Sequence, residues 1–128
     1  MCEAIVARGD LALEVCAGGA HLLPQAGRDG EATIRFVESS GHRVHRFEMQ
    51  RVGETGRLAD AAALGRGVTA LAALFARLAP DAVVVLGDRI EAFAAASAAS
   101  VGGVRVAHIH GGDRAEGVAD EAMRHAIT

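Results

Sequence analysis

The chain has 128 residues, enough for one domain with its own core and short for a two-lobed enzyme. A formal charge of -3, scattered arginines and few aromatic rings (four Phe, no Trp, no Tyr) argue against nucleic acid as a partner, which would call for a basic face and rings for stacking. No uninterrupted apolar run reaches the roughly 18 residues of a spanning helix, and Glu3, Arg8 and Asp10 do not suit a signal peptide, so the reading is a soluble, cytoplasmic protein without a membrane partner.

In chain order, MCEAIVARGD (1–10) reads as the tail of a helix with no strand before it. LALEVCAG (11–18) is a short apolar run closing on glycines, the pattern of a buried strand feeding a loop. Cys2 and Cys16 form no CxxC pair and read as idle thiols in a reducing compartment. A polar, glycine-rich stretch follows, then ATIRFVESSG predicts a short helix and HRVHRFEM (42–49) a strand. From Leu58 to Leu78 the residues Leu64, Val68, Leu71, Phe75 and Leu78 recur at steps of four and three, one stripe on a long helix with Arg57, Arg66 and Arg77 off it. PDAVVVLGD (80–88) is a proline stop and then an apolar strand of the kind buried on both faces of a parallel sheet. RIEAFAAASAASVG (89–102) is an alanine-rich helix able to lie close to that sheet, VRVAHIH another strand, and ADEAMRHAIT opens a last helix with Asp120 and Glu121 in its first turn, where the helix dipole favours acids.

Strands alternating with helices predict an α/β fold, a doubly wound parallel sheet of Rossmann type. In that topology the first strand is central, so the sequence is expected to be a partial lobe, residues 1–128, whose strands either close up around a gap or do not stand alone. Ligands of such sheets bind outside the carboxyl ends of the strands. Three polar clusters fall at such ends: GGAHLLP with His21, GDR with Asp88, and HIHGGD with His108 and His110.

Each cluster has a bland reading beside the functional one. Asp88 precedes a helix and suits an N-cap, while Glu91 one turn on suits a capping-box or surface acid. His108 and His110 fall on one face of their strand by alternation, a way to hold zinc with Asp88 or Asp113 as third ligand, yet no HxxxH or CxxC partner supports it. His108, deeper in the strand, fits a core tie. His110, beside two glycines that let a ligand approach the backbone, is better placed for acid or base chemistry. Glu121, Arg124 and His125 share a helix face, for which a solvated ion pair is the ordinary explanation. His21 sits in a glycine loop, as a ligand contact or as nothing.

Taken together, PDAVVVLGDRIEAFAAASAAS, VRVAHIHGGDRAEGVADEAMRHAIT and, more weakly, GAHLLPQAG resemble the UDP-N-acetylglucosamine 2-epimerase family, in its hydrolysing subgroup. The resemblance covers nearly all of the chain but only the first lobe of a two-lobed, GT-B-like fold, without that lobe's first strand or the second lobe. It implies a nucleotide-sugar substrate, no cofactor, no metal, a homo-oligomeric full-length enzyme and a product for sialic acid-type sugar synthesis, with the fragment alone inactive. It implies catalytic roles for Asp88, His110 and Glu121, and substrate contacts for His21, Arg89, Gly111, Gly112, Arg124 and His125. His110 matches the position that is glutamate in the non-hydrolysing enzymes, which disfavours that alternative. One departure is Asp113, where the hydrolysing pattern usually has glutamate after the two glycines. The competing readings are a non-hydrolysing epimerase, a metal-dependent hydrolase using His108 and His110, and a non-catalytic remnant.

Overall fold

A computed structural model describes residues 1–24, 33–113 and 120–128, with Asp120 as backbone only. The polar stretch expected after the first strand lies partly outside these residues, as do residues 114–119. The chain forms two compact units, Met1–Glu48 and Met49–Thr128.

In the first unit, α1 (Cys2–Val6) is helical as expected, followed by β1 (Val15–Gly18), a 3-10 turn (Gly19–Leu22), α2 (Ile34–Glu38) and β2 (Val44–Phe47). β1 and β2 pair in parallel, from Val15 opposite Val44 to Gly18 opposite Phe47. Ala17, Ile34 and Phe47 form the buried apolar centre of this unit. Gly18 has no room for a side chain: a Cβ would strike the Phe47 carbonyl and lie 2.7 Å from its ring. The strand is thus able to come close to Phe47 only because position 18 is glycine.

The second unit contains α3 (Arg57–Leu78), β3 (Ala82–Leu86), α4 (Ile90–Val101), β4 (Arg105–Ile109) and α5 (Asp120–Ile127). β3 and β4 pair in parallel, from Ala82 opposite Arg105 to Leu86 opposite Ile109, with α4 as the crossover. The long helix runs as expected and ends where Ala79 turns left-handed at φ 47, its N–H reaching the Phe75 carbonyl just before Pro80. By length and mean hydropathy α3 is apolar enough to cross a membrane, but its inward face packs on α4 as a core helix does. The buried line on α3 is Ala63, Gly67, Leu71, Leu74 and Phe75, rotated from the stripe of large residues, so that Leu64, Val68 and Leu78 are only half-buried. The reason is steric. A Cβ at Gly67 would lie 3.1 Å from both Ala94 Cβ and Met49 Sδ, so the closest approach of α3 to α4 is made by the smallest side chains. Ala94 and Ala99 of α4 are fully buried.

The strand β3 departs from expectation. It was expected to be covered on both faces, but Val85 is buried while Val84 is 45% and Leu86 57% exposed. Burial therefore alternates with period two, the face carrying Val85 being the better covered among the described residues.

Candidate functional site

The site-bearing segments of the second unit begin where its two strands end. After Leu86 the chain turns at Gly87, whose φ of +72 is a conformation glycine adopts without strain, and whose N–H donates to the Ile109 carbonyl at 3.0 Å. This bond carries the strand pairing one step past β3 and fixes where Asp88 begins. Asp88 is not an N-cap: that position is Arg89, and no side chain caps the helix. Its carboxylate instead pairs with the Arg124 guanidinium from α5. The N-cap reading fails because a buried cation 36 positions along the chain takes the carboxylate, and a charge-assisted pair outweighs a cap to backbone amides.

Arg124 is the hub of the site. Only 9% of its surface is exposed, and a second nitrogen, Nη1, donates to the Asp113 carbonyl at 2.8 Å. Its Nε is buried with no hydrogen-bond partner among the described residues. The guanidinium thus ties the end of β3, through Asp88, to the loop after β4, through Asp113. The ordinary reading of Glu121, Arg124 and His125 as a solvated ion pair does not hold for Arg124; the Glu121 carboxylate, half-buried, lies 3.5 Å from Nε2 of the exposed His125. His125 is exposed while Arg124 beside it is buried, since neighbouring helix positions differ by about 100° around the axis.

The two histidines also separate. β4 ends at Ile109, and His110 takes φ +62, the left-handed region, so strand alternation no longer governs its side chain. Its Nδ1 lies 2.7 Å from the Asp113 carboxylate, with both side chains largely exposed. Since the carboxylate accepts, Nδ1 carries the proton and Nε2 is left for acid or base chemistry. His108 stays inside, its Nε2 2.7 Å from the Gly87 carbonyl and its Nδ1 2.9 Å from the Thr128 hydroxyl. Among the described residues the rings share no partner, and with both nitrogens of His108 occupied the HxH pair is not arranged as a metal site. No group of three or more metal-ligating side chains occurs among the described residues.

Of the remaining predicted residues, Arg89 is exposed and its Nε lies 3.3 Å from Glu91. Glu91 also accepts from Gln50 Nε2 at 3.0 Å, so it is a partly buried tether rather than a capping acid. Gly111 is buried against His108 and Thr128, whereas a Cβ on Gly112 would meet open space. His21 lies in the first unit, its Nδ1 2.9 Å from the Thr33 hydroxyl. Cys16 is also there, and burial, with the Glu14 carboxylate beside it, pushes its thiol above the usual range. Sequence reasoning did not single out Asp113 as the partner of His110, although its spacing of three across two glycines was the available signal, nor Thr128 as a partner of His108.

The protein-family model described as UDP-N-acetylglucosamine 2-epimerase matches residues 3–128. The chain is 28% identical, over all 128 of its residues, to a protein of Campylobacter jejuni named GDP/UDP-N,N'-diacetylbacillosamine 2-epimerase (hydrolyzing), of which it covers 32%. Over 119 residues, 93% of the chain, it is 32% identical to a UDP-N,N'-diacetylbacillosamine 2-epimerase (hydrolyzing) of Legionella pneumophila, of which it covers 30%. Its fold matches that of the UDP-GlcNAc 2-epimerase from Neisseria meningitidis solved with UDP-GlcNAc, with a TM-score of 0.72 at 18% identity, over 96% of this chain and 32% of that one. The chain therefore spans about a third of the length of the relatives it matches.

Proposed function

Because the chain belongs to the UDP-N-acetylglucosamine 2-epimerase family, we propose that it forms part of the first, Rossmann-like lobe of a two-lobed enzyme that hydrolyses UDP-N-acetylglucosamine or a related nucleotide sugar with inversion at C2. The observation that carries this reading is the Arg124 tie, which anchors Asp88 and the loop of His110 and Asp113 to one helix that also bears Glu121.

The chemistry matches those residue types. The C2 proton of the sugar is not next to a carbonyl, so its removal is coupled to departure of UDP from C1. The C2–H electron pair becomes the glycal double bond as the C1–O bond breaks. Water then adds at C1, and a proton returns to C2 from the opposite face, giving the free N-acetylmannosamine-type sugar and UDP. Two titratable groups flanking the ring are required, and positive charge at C1 must be stabilised by carboxylates. Asp88, His110 and Glu121 divide these roles. Arg124, being buried and paired, acts by orienting Asp88 rather than by gripping phosphate. Gly112, which faces open space, lets substrate come close to the backbone. Arg89, Gly111 and His125 complete the proposed substrate contacts of this unit; the same role is proposed for His21 within the first unit. A second lobe, which would hold the nucleotide, a homo-oligomer, a cytoplasmic location and supply of sialic acid-type sugars belong to the same proposal. The names of the Campylobacter and Legionella relatives favour the hydrolysing subtype and a diacetylated sugar.

The test is incubation of the product of the complete reading frame around these residues with UDP-N-acetylglucosamine and UDP-N,N'-diacetylbacillosamine. Free 2-epimeric sugar and UDP in equal amounts, lost in Asp88→Asn, are expected. A UDP-linked epimer would instead identify the non-hydrolysing reaction. The 128-residue chain alone is expected to release no sugar.

A further inference from the structure

His108 is the motif residue that the proposed chemistry leaves without a task, and its surroundings define one. On β4 it stands opposite Val85, yet its ring reaches two residues further along the neighbouring strand to the Gly87 carbonyl, at 2.7 Å from Nε2. A carbonyl only accepts, so Nε2 carries the proton. Nδ1 lies 2.9 Å from Thr128 Oγ1, which is also 3.1 Å from the Arg124 carbonyl and 3.2 Å from that of Gly111. The same ring leaves no space above it: a Cβ at Gly111 would lie 2.7 Å from both His108 Nδ1 and Thr128 Oγ1. One imidazole therefore touches the residue before Asp88, the residue after His110, and the helix that carries Glu121 and Arg124.

Resting on the reading above, we infer that His108 is a positioning residue for that reaction: it touches no substrate, and it sets the spacing between the Asp88 segment and the His110–Gly111 loop. Without its Nε2–H, the Gly87 carbonyl is left half-buried and unpaired, and the peptide rotates toward water, carrying Asp88 with it. Catalysis is more sensitive to that movement than folding is, because a misplacement of about 1 Å can cost on the order of 100-fold in rate.

Two variants separate positioning from packing. A glutamine amide places its N–H where Nε2 lies, whereas asparagine stops one methylene short and cannot reach Gly87. In the product of the complete reading frame, His108→Asn is expected to lower kcat by about 10- to 100-fold with KM changed by less than about threefold, and His108→Gln to recover most of the rate. Equal losses in both variants, tracking their urea midpoints, would overturn the inference by making His108 a packing residue only. The second readout needs no turnover. In nitrogen-15 spectra of the 128-residue chain, His108 is expected as the Nε2–H tautomer, and His108→Asn should displace the amide signals of Asp88 and Gly111 while His108→Gln leaves them near their wild-type positions. An Nδ1–H tautomer, or amides unmoved in His108→Asn, would refute the strut. Absence of turnover in the wild-type enzyme beside intact amide displacements would overturn the proposed reaction and leave the strut standing.

Discussion

The Asp88–Arg124 pair sets the size of the first prediction. Arg124 is 9% exposed, and among the described residues its Nε is unpartnered and its charge is met by Asp88 and the Asp113 carbonyl. Asp88→Ala leaves that guanidinium with one neutral acceptor. Removing one partner of a fully buried pair costs about 3–5 kcal/mol. The Asp88 side chain is 21% exposed, so water can enter the vacated space and reach Nη2, which lowers the expected cost to about 2–3 kcal/mol. Arg124→Met removes the charge but keeps the apolar stem, leaving a carboxylate that water can already reach, and costs about 1–2 kcal/mol. The double variant buries no charge and should return to within about 1 kcal/mol of the parent, a coupling of about 2–4 kcal/mol. Urea denaturation followed by circular dichroism measures all four chains. With a slope of about 1–3 kcal/mol per molar, Asp88→Ala should lower the midpoint by about 0.7–3 M. Single losses that add to within about 0.5 kcal/mol in the double variant would show that Arg124 does not depend on Asp88, and the hub described for the site would be wrong.

Three further outcomes follow from particular positions. His110→Gly should raise stability by about 0.5–1 kcal/mol, since glycine takes φ +62 without strain and the exposed Asp113 contact contributes little, while the same change should abolish sugar release; a lowered urea midpoint would contradict this. Gly111→Ala forces a methyl group into His108 and Thr128 and should cost about 1–3 kcal/mol, whereas Gly112→Ala, facing open space, should stay within about 0.5 kcal/mol in stability and weaken nucleotide-sugar binding; equal urea midpoints for the two would refute the packing described. Cys16, with its thiol raised first by burial and then by Glu14, should react with a disulfide reagent at pH 8 more slowly than a free cysteine peptide. Its folded value lies above the ordinary 9.0, so the stability it contributes is complete below about pH 9 and is lost as pH rises through the folded value. Cys16→Ala should flatten that alkaline decline, and an unchanged pH profile would count against it.

Much of this protein is written in local pattern. The steps of four and three along α3, the proline that stops it, the glycines closing β1 and β3 and the alanines of α4 are each read by the chain over a few residues, and the elements form where those patterns lie. The order of GDR, HIHGGD and DEAMRHAIT likewise pointed to the family whose model matches the chain. Tertiary contacts settled matters that local pattern left open. Asp88 had a neighbouring helix to cap and a distant cation to pair with, and only folding brings Arg124 near enough to win it. The φ of one residue, His110, parts two imidazoles that strand alternation would have put together. The line of α3 that is buried follows from which side chains are small enough to meet α4, and β3 is covered on one face because covering depends on what packs above a strand and not on the strand's own composition. Short-range sterics and periodicity act along the sequence, so they are legible there. Competition among partners far apart in the chain is decided only once the backbone has brought them within reach.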